Sequence, residues 1–249
     1  MTLRTPETIM ATTQQTMTPD ALVARLREAY GDALRSVVVY GDAADGAVTD
    51  ELPLLVIADA LPVDALDRAA SATREWIAAG HPAPLTLTLA EWRSSADVFA
   101  IEYADVIERH RVLYGILPLD GIAVQPADVR RELEEQVLGK LLKLRRGVME
   151  AGGDAGRERD LLAMSVGTFV ALFRAVLRLH GERPPADPAA VCERTGARAG
   201  FDATPFARMV RHVRGEAMLQ PGDARAALGG FLDGLERLIA HLDAFAPGR

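Results

Sequence analysis

The stretch Ser36–Ala58, SVVVYGDAADGAVTDELPLLVIA, decides how this chain folds. Ser36–Tyr40 is short, rich in valine and ends at a glycine, which marks a buried strand followed by a turn. Gly41–Asp50 is a polar loop with a second glycine, Gly46. Pro53–Ala58 is a second apolar strand. Two buried strands joined by a Gly/Asp loop call for a sheet covered by helices.

Working outward, Thr18-Pro19-Asp20 is a helix start, a capping hydroxyl followed by proline at the first helical position. Leu22, Val23, Leu26 and Tyr30 give that helix its apolar face, and Gly31 ends it. Pro62–Ala79 reads as a helix with Val63, Leu66, Ala70, Thr73 and Ile77 inward. Leu85–Leu89 alternates as LTLTL, a half-exposed strand. In Asp97–Gly115, DVFAIEYADVIERHRVLYG, we place a strand near Ile101–Val106 and an extended piece at Arg111–Tyr114.

After a linker at 119–127 the pattern becomes helical. Val129, Leu133, Val137, Leu141, Leu144 and Val148 form one stripe, stopped by Gly152-Gly153. Asp160–Leu179 is apolar nearly all round and should be the central helix. Shorter helices follow at Pro188–Thr195 and Pro205–Arg214, and Leu228, Phe231, Leu232, Leu235, Leu238, Ile239 and Leu242 line a last one. The expected class is α+β: a tail at 1–17, a mixed-sheet domain at 18–118 and an all-α bundle at 128–249.

Composition narrows the functions. The net charge is −7 over 249 residues. Residues 1–125 hold 9 Lys/Arg against 18 Asp/Glu, and residues 126–249 hold 19 against 17. An acidic first half repels phosphates, so strong nucleic-acid binding is not expected. The single cysteine, Cys192, excludes an internal disulfide and suits a reducing cytoplasm; it reads as a small buried hydrophobe. We expect no membrane span, because no apolar run reaches the ~18 to 20 residues required, and a soluble, cytoplasmic protein. With 5% aromatic residues, the core is expected to be built from Ala, Leu and Val.

Helix, VVVYG, a loop with a second glycine and LPLLVI together resemble the opening unit of the polymerase-β-like nucleotidyltransferase superfamily. In that family the turn is Gly-Ser and the next strand begins Asp-x-Asp. Carboxylates at i and i+2 of a strand point the same way and hold the Mg²⁺ ions that clamp a nucleoside triphosphate. The turn's backbone N–H groups approach the phosphates. Here Gly41, Asp42 and Gly46 occupy the phosphate-loop positions, with Asp42 where the family has serine. Glu51-Leu52-Pro53 stands for Asp-x-Asp; sliding back one residue gives Asp50-Glu51-Leu52. Neither register supplies two acids at i and i+2. A carboxylate about 4 Å from a phosphate oxygen costs roughly 1 kcal/mol in water and about 4 at an effective dielectric of 20. The segment ending Leu113-Tyr114-Gly115 is similar to the end of the palm in bacterial nucleotidyltransferase-like proteins, where a strand carries a third carboxylate. Glu102 or Asp105 would be that acid. The helical half looks like the bundle beside aminoglycoside and minimal nucleotidyltransferases, and the likeness spans residues 18–215.

The resemblance implies a nucleotidyltransferase fold with a degenerate site, acting as a scaffold or as a weak binder of nucleotide or partner. One alternative is an atypical enzyme using Mg²⁺ and NTP, with Asp42 and Glu51 as metal ligands and Glu51, Glu102 or Asp105 as catalytic acids. Another is a bundle that dimerises or binds a protein partner. Asp42, Asp45, Asp50 and Glu51 otherwise read as a solvated acidic turn. Arg174 and His180 match the Arg-x5-His spacing of helical HEPN ribonucleases, but six residues turn a helix by about 240°. His180, just before Gly181, reads instead as a cap on the last helical carbonyls. Lys140, Lys143, Arg145 and Arg146 form a charged outer helix face, and His110 sits between Arg109 and Arg111.

Overall fold

A computed structural model of the chain describes residues 17–45 and 51–245. The expected N-terminal tail up to residue 16, and loop residues 46–50, lie outside the described residues. The chain divides into two compact units, Met1–Trp92 with Arg109–Leu119, and Arg93–Glu108 with Asp120–Arg249. Residues 93–108, read from the sequence as part of the first domain, belong to the second unit.

The first unit opens with helix α1 (Pro19–Tyr30), where Thr18 Oγ1 accepts the Ala21 N–H at 3.2 Å. Strands β1 (Leu34–Tyr40) and β2 (Leu54–Ala58) follow, then α2 (Val63–Ala78), β3 (Leu85–Thr88), the start of the short α3 (Leu89–Ser94), which runs on into the second unit, and β4 (His110–Gly115). Among the described residues these strands form one four-stranded sheet in the order β3-β2-β1-β4. β2 and β3 run parallel; β1 is antiparallel to both its neighbours. The sheet is therefore mixed, as the sequence led us to expect.

Alternation along β1 and β2 splits their side chains between two faces. Val37 and Val39 pair with Val56 and Leu54, and all four join a core with Leu22 and Leu26 of α1 and Ala65, Ala69, Ala72 and Trp76 of α2. Val38, Leu55 and Ile57 are fully buried on the opposite face. The inner stripe of α2 differs from the expected one by a single position. Val63, Leu66 and Ile77 are exposed, while three alanines and Trp76 face inward. Small side chains let α2 approach α1 closely, with Arg25 bonded to Glu75 at 2.8 Å and Ser71 at 2.7 Å. Trp76 fills the remaining space and donates to the Pro82 carbonyl at 3.1 Å.

Gly115, the last residue of the Leu-Tyr-Gly motif, has a steric reason. It lies opposite Ser36 at φ +72°, and a Cβ there would stand 1.9 Å from the Arg35 carbonyl oxygen. Only glycine accepts both the left-handed backbone and that contact.

The second unit holds α4 (Ala100–Glu108), α5 (Pro126–Ala151), α6 (Ala155–Leu179), α7 (Pro188–Ala199), α8 (Thr204–Val213) and α9 (Ala224–Asp243). The strand expected at Ile101–Val106 is thus a helix. Ala100, Tyr103 and Val106 are fully buried, and a spacing of three is a helical face, not a strand's alternation. The β-branched residues that suggested a strand were outweighed by tertiary packing.

The predicted α5 stripe is observed: Val129, Leu133, Val137, Leu141 and Leu144 are buried, and Val148 is partly so. Gly152 ends the helix in the left-handed conformation. Asp154 caps α6 by accepting the Arg157 N–H at 2.9 Å. By length and composition α6 could cross a membrane, with a stretch of mean hydropathy 1.7, contrary to the expectation that no segment would. Half of that stretch is buried within the protein, where α6 packs against α5, α7, α8 and α9.

Aliphatic side chains do not make this core alone. Phe169, Phe173, Phe201, Phe206 and Phe231 form one cluster, with Phe206 stacked on Phe231 at 4.0 Å and edge-on to Phe173 at 5.1 Å. A few aromatics concentrated in one place outweigh a low overall percentage. Glu158, only 1% exposed, meets Arg225 of α9 at 2.6 Å.

Candidate functional site

The resemblance directs attention first to where β1 ends and β2 begins. β1 runs into a short 3-10 helix, Gly41–Asp45. Gly41 adopts φ +71°, and its N–H donates to the Arg109 carbonyl at 3.0 Å. That N–H extends the β1–β4 pairing. Gly46 and Asp50, and the side chain of Asp42, lie outside the described residues.

Across the ladder, Tyr40 N–H donates to the Pro53 carbonyl at 3.2 Å, next to the Val39–Leu54 pair. The structure therefore sets Glu51-Leu52-Pro53 at the entrance to β2, beside the end of β1. Leu52 packs against the core shared with α1 and α2. Glu51 and Pro53 precede the strand itself, and Pro53 is partly buried. Glu51 is exposed.

Glu102 and Asp105 are placed differently from expectation. Both lie on α4, in the helical unit, and neither is on a strand. Glu102 is lifted from 4.5 to about 7, chiefly by burial and then by the negative charge of Glu132. Glu132 is itself held by the Ile101 N–H at 2.9 Å and the Gln136 amide at 2.8 Å. Asp105 pairs with Arg178 of α6, and the same guanidinium reaches Glu108 at 2.8 Å. Arg178 is 12% exposed.

Reasoning from sequence missed Arg178, Glu108 and Glu132, which sit around the two candidate acids. The available signal was periodicity. Glu102, Asp105 and Glu108 recur every three residues beside Ala100, Tyr103 and Val106, the signature of an amphipathic helix. Among the described residues no three His, Cys, Asp or Glu side chains come together as a metal-binding group.

The remaining candidates are accounted for by their contacts. Arg174 donates to the Ala186 carbonyl at 3.2 Å. His180 is the C-cap of α6 as expected, its backbone N–H donating to the Val176 carbonyl at 3.3 Å and the Leu177 carbonyl at 3.1 Å; its ring Nε2 lies 2.8 Å from Nε2 of His241 on α9, with Phe245 edge-on at 5.1 Å. Burial lowers the pKa of both imidazoles. Cys192 is fully buried, and burial pushes its thiol up to about 12, so it is an inert packing residue. Arg145 of the basic α5 face pairs with Glu236 of α9 at 2.8 Å.

No family model matches the chain, and no curated protein matches its sequence. Among solved structures it is similar to spectinomycin adenyltransferase AAD(9) from Enterococcus faecialis, crystallised with ATP and spectinomycin. The TM-score is 0.55 at 11% identity, covering 89% of this chain and 96% of that one. At that identity the likeness is one of fold, and the chain has a nucleotidyltransferase-like α+β fold with a helical region.

Proposed function

We propose that this chain is a nucleotidyltransferase-fold protein without metal-dependent nucleotidyl transfer, serving as a scaffold or as a weak binder of nucleotide or a partner protein. The observation that carries the reading is at the start of β2, where Pro53 takes the place of the second carboxylate. In the register of the resemblance Pro53 stands two residues after Glu51, where a second oxygen donor would be required, and a pyrrolidine ring offers none. Among the described residues Glu51 is the carboxylate at this entrance, and one carboxylate does not fit the two-carboxylate clamp that holds Mg²⁺ on a triphosphate. Gly41 supports the reading as well, since its N–H is spent on Arg109. Glu102 and Asp105 add no third strand carboxylate, because both belong to a helix. The bundle is the natural surface for a protein partner or a second copy.

Isothermal titration of the full chain with ATP, with and without Mg²⁺, tests this. The expected outcome is weak binding that Mg²⁺ does not strengthen. Micromolar, Mg²⁺-dependent binding would overturn the proposal, as would incorporation of label from α-labelled ATP that Glu51→Gln abolishes.

A further inference from the structure

The helical unit contains a cavity of about 460 Å³, within the range of small-molecule sites. Its walls are apolar side chains of three helices, Ala104 and Ile107 of α4, Val129 of α5 and Leu179 of α6. Only two charged residues, Glu108 and Arg178, line it. All of its lining residues belong to the helical unit, and the proposed loss of transferase chemistry does not use them.

The charges decide what kind of molecule fits. Arg178 is the cation of the wall, but its guanidinium is already engaged by two carboxylates, Asp105 and Glu108. An incoming anion would have to break one of those pairs and would meet the surplus carboxylate. Arg174, the next cation along α6, is turned to the Ala186 carbonyl. Glu108 gives Oε2 to Arg178 and is 39% exposed, so a carboxylate edge stays open at the mouth of an apolar chamber.

We infer that this cavity is a binding site for small amphipathic amines, with the apolar body between Ala104, Ile107, Val129 and Leu179 and the ammonium on Glu108. Burial of the apolar body supplies most of the affinity, and the carboxylate supplies the choice of charge.

Three probes of one skeleton test it by titration against the full chain: 2-(1-naphthyl)ethylamine, 2-(1-naphthyl)ethanol and 1-naphthylacetic acid. The amine should bind with a Kd on the order of 100 µM, as expected for a ligand of this size. The alcohol should bind several-fold more weakly and the acid at least about tenfold more weakly. Glu108→Gln should bring the amine to the level of the alcohol. Ala104→Phe, which fills the chamber from its α4 wall, should abolish binding of all three while circular dichroism stays unchanged. Equal affinities for the three probes would overturn the inference. So would tighter binding of the acid, no binding of the amine at millimolar concentration, or amine binding that survives Ala104→Phe.

Discussion

The two units solve the same packing problem with different materials. The sheet unit packs valines and leucines against alanine-lined helices, and β4 pairs with β1 so closely at Gly115 that a Cβ there would strike the Arg35 carbonyl. The helical unit has no such pairing and is organised by interlocking side chains, above all the five-phenylalanine cluster. Stability in the first unit is therefore a matter of backbone register, and in the second a matter of shape. Chance provides separate reporters. Trp76 and Trp92 are fully buried in the sheet unit, whereas the long helices α5, α6 and α9 belong to the other. Tryptophan emission thus reads the sheet unit, and far-ultraviolet circular dichroism is weighted toward the helical one.

The largest effect should come from Phe206→Ala, which empties the centre of the aromatic cluster and should cost about 3–5 kcal/mol. Denaturant titration should show the helical signal shifting well ahead of the tryptophan signal; a common shift would break the contrast between the units. Gly115→Ala should cost about 2–4 kcal/mol, from the steric overlap and the left-handed backbone together. Here tryptophan emission should move first, and an unchanged midpoint would show that β4 pairs in another way.

Next in size is Glu102→Gln. A folded-state carboxyl titrating near 7 against 4.5 unfolded means the folded chain holds more protons in that window. Its contribution is full below about 4.5 and is lost as pH rises through 7. The substitution should therefore stabilise the chain at pH 8 by about 1–3 kcal/mol and flatten the decline between those limits. No gain at pH 8 would place Glu102 in water. Smallest is His180→Phe. Lowered pKa values for His180 and His241 mean the unfolded chain takes protons first as pH falls below 6.5, so stability drops on acidification. Two imidazoliums also cannot share the 2.8 Å contact. Removing one ring should reduce that acid sensitivity, read as a smaller difference in Tm between pH 7.5 and 5.5.

What could be read from the sequence divides along the same line. Local signals gave the ends and faces of elements correctly. Thr18-Pro19 starts a helix, VVVY is a buried strand, the α5 stripe is as spaced and Gly152 stops it. Each depends on neighbours within a turn or two of chain. The failures depend on distant contacts. Ile101–Val106 looks like a strand until Tyr103 and Val106 are buried on one helical face. The α2 stripe was set one residue away because Trp76 and three alanines, rather than Val63, Leu66 and Ile77, suit the gap beside α1. His180 meets a histidine 61 positions away, which no local spacing announces. At the candidate site, Glu51 and Pro53 could be placed because a strand entrance is local, while Arg178 could not, since its partners come from another helix.

Connectivity carries one more consequence. The polypeptide passes between its two units three times, after residues 92, 108 and 119, so no single cut yields either unit whole. A fragment beginning at Asp120 would keep α5 to α9 but leave Arg178 without both of its carboxylates and Glu132 without the Ile101 amide. Genetic dissection of this protein calls for internal loop replacement or circular permutation that keeps α4 attached, because simple truncation would strip a buried cation of its counter-charges and invite misassembly.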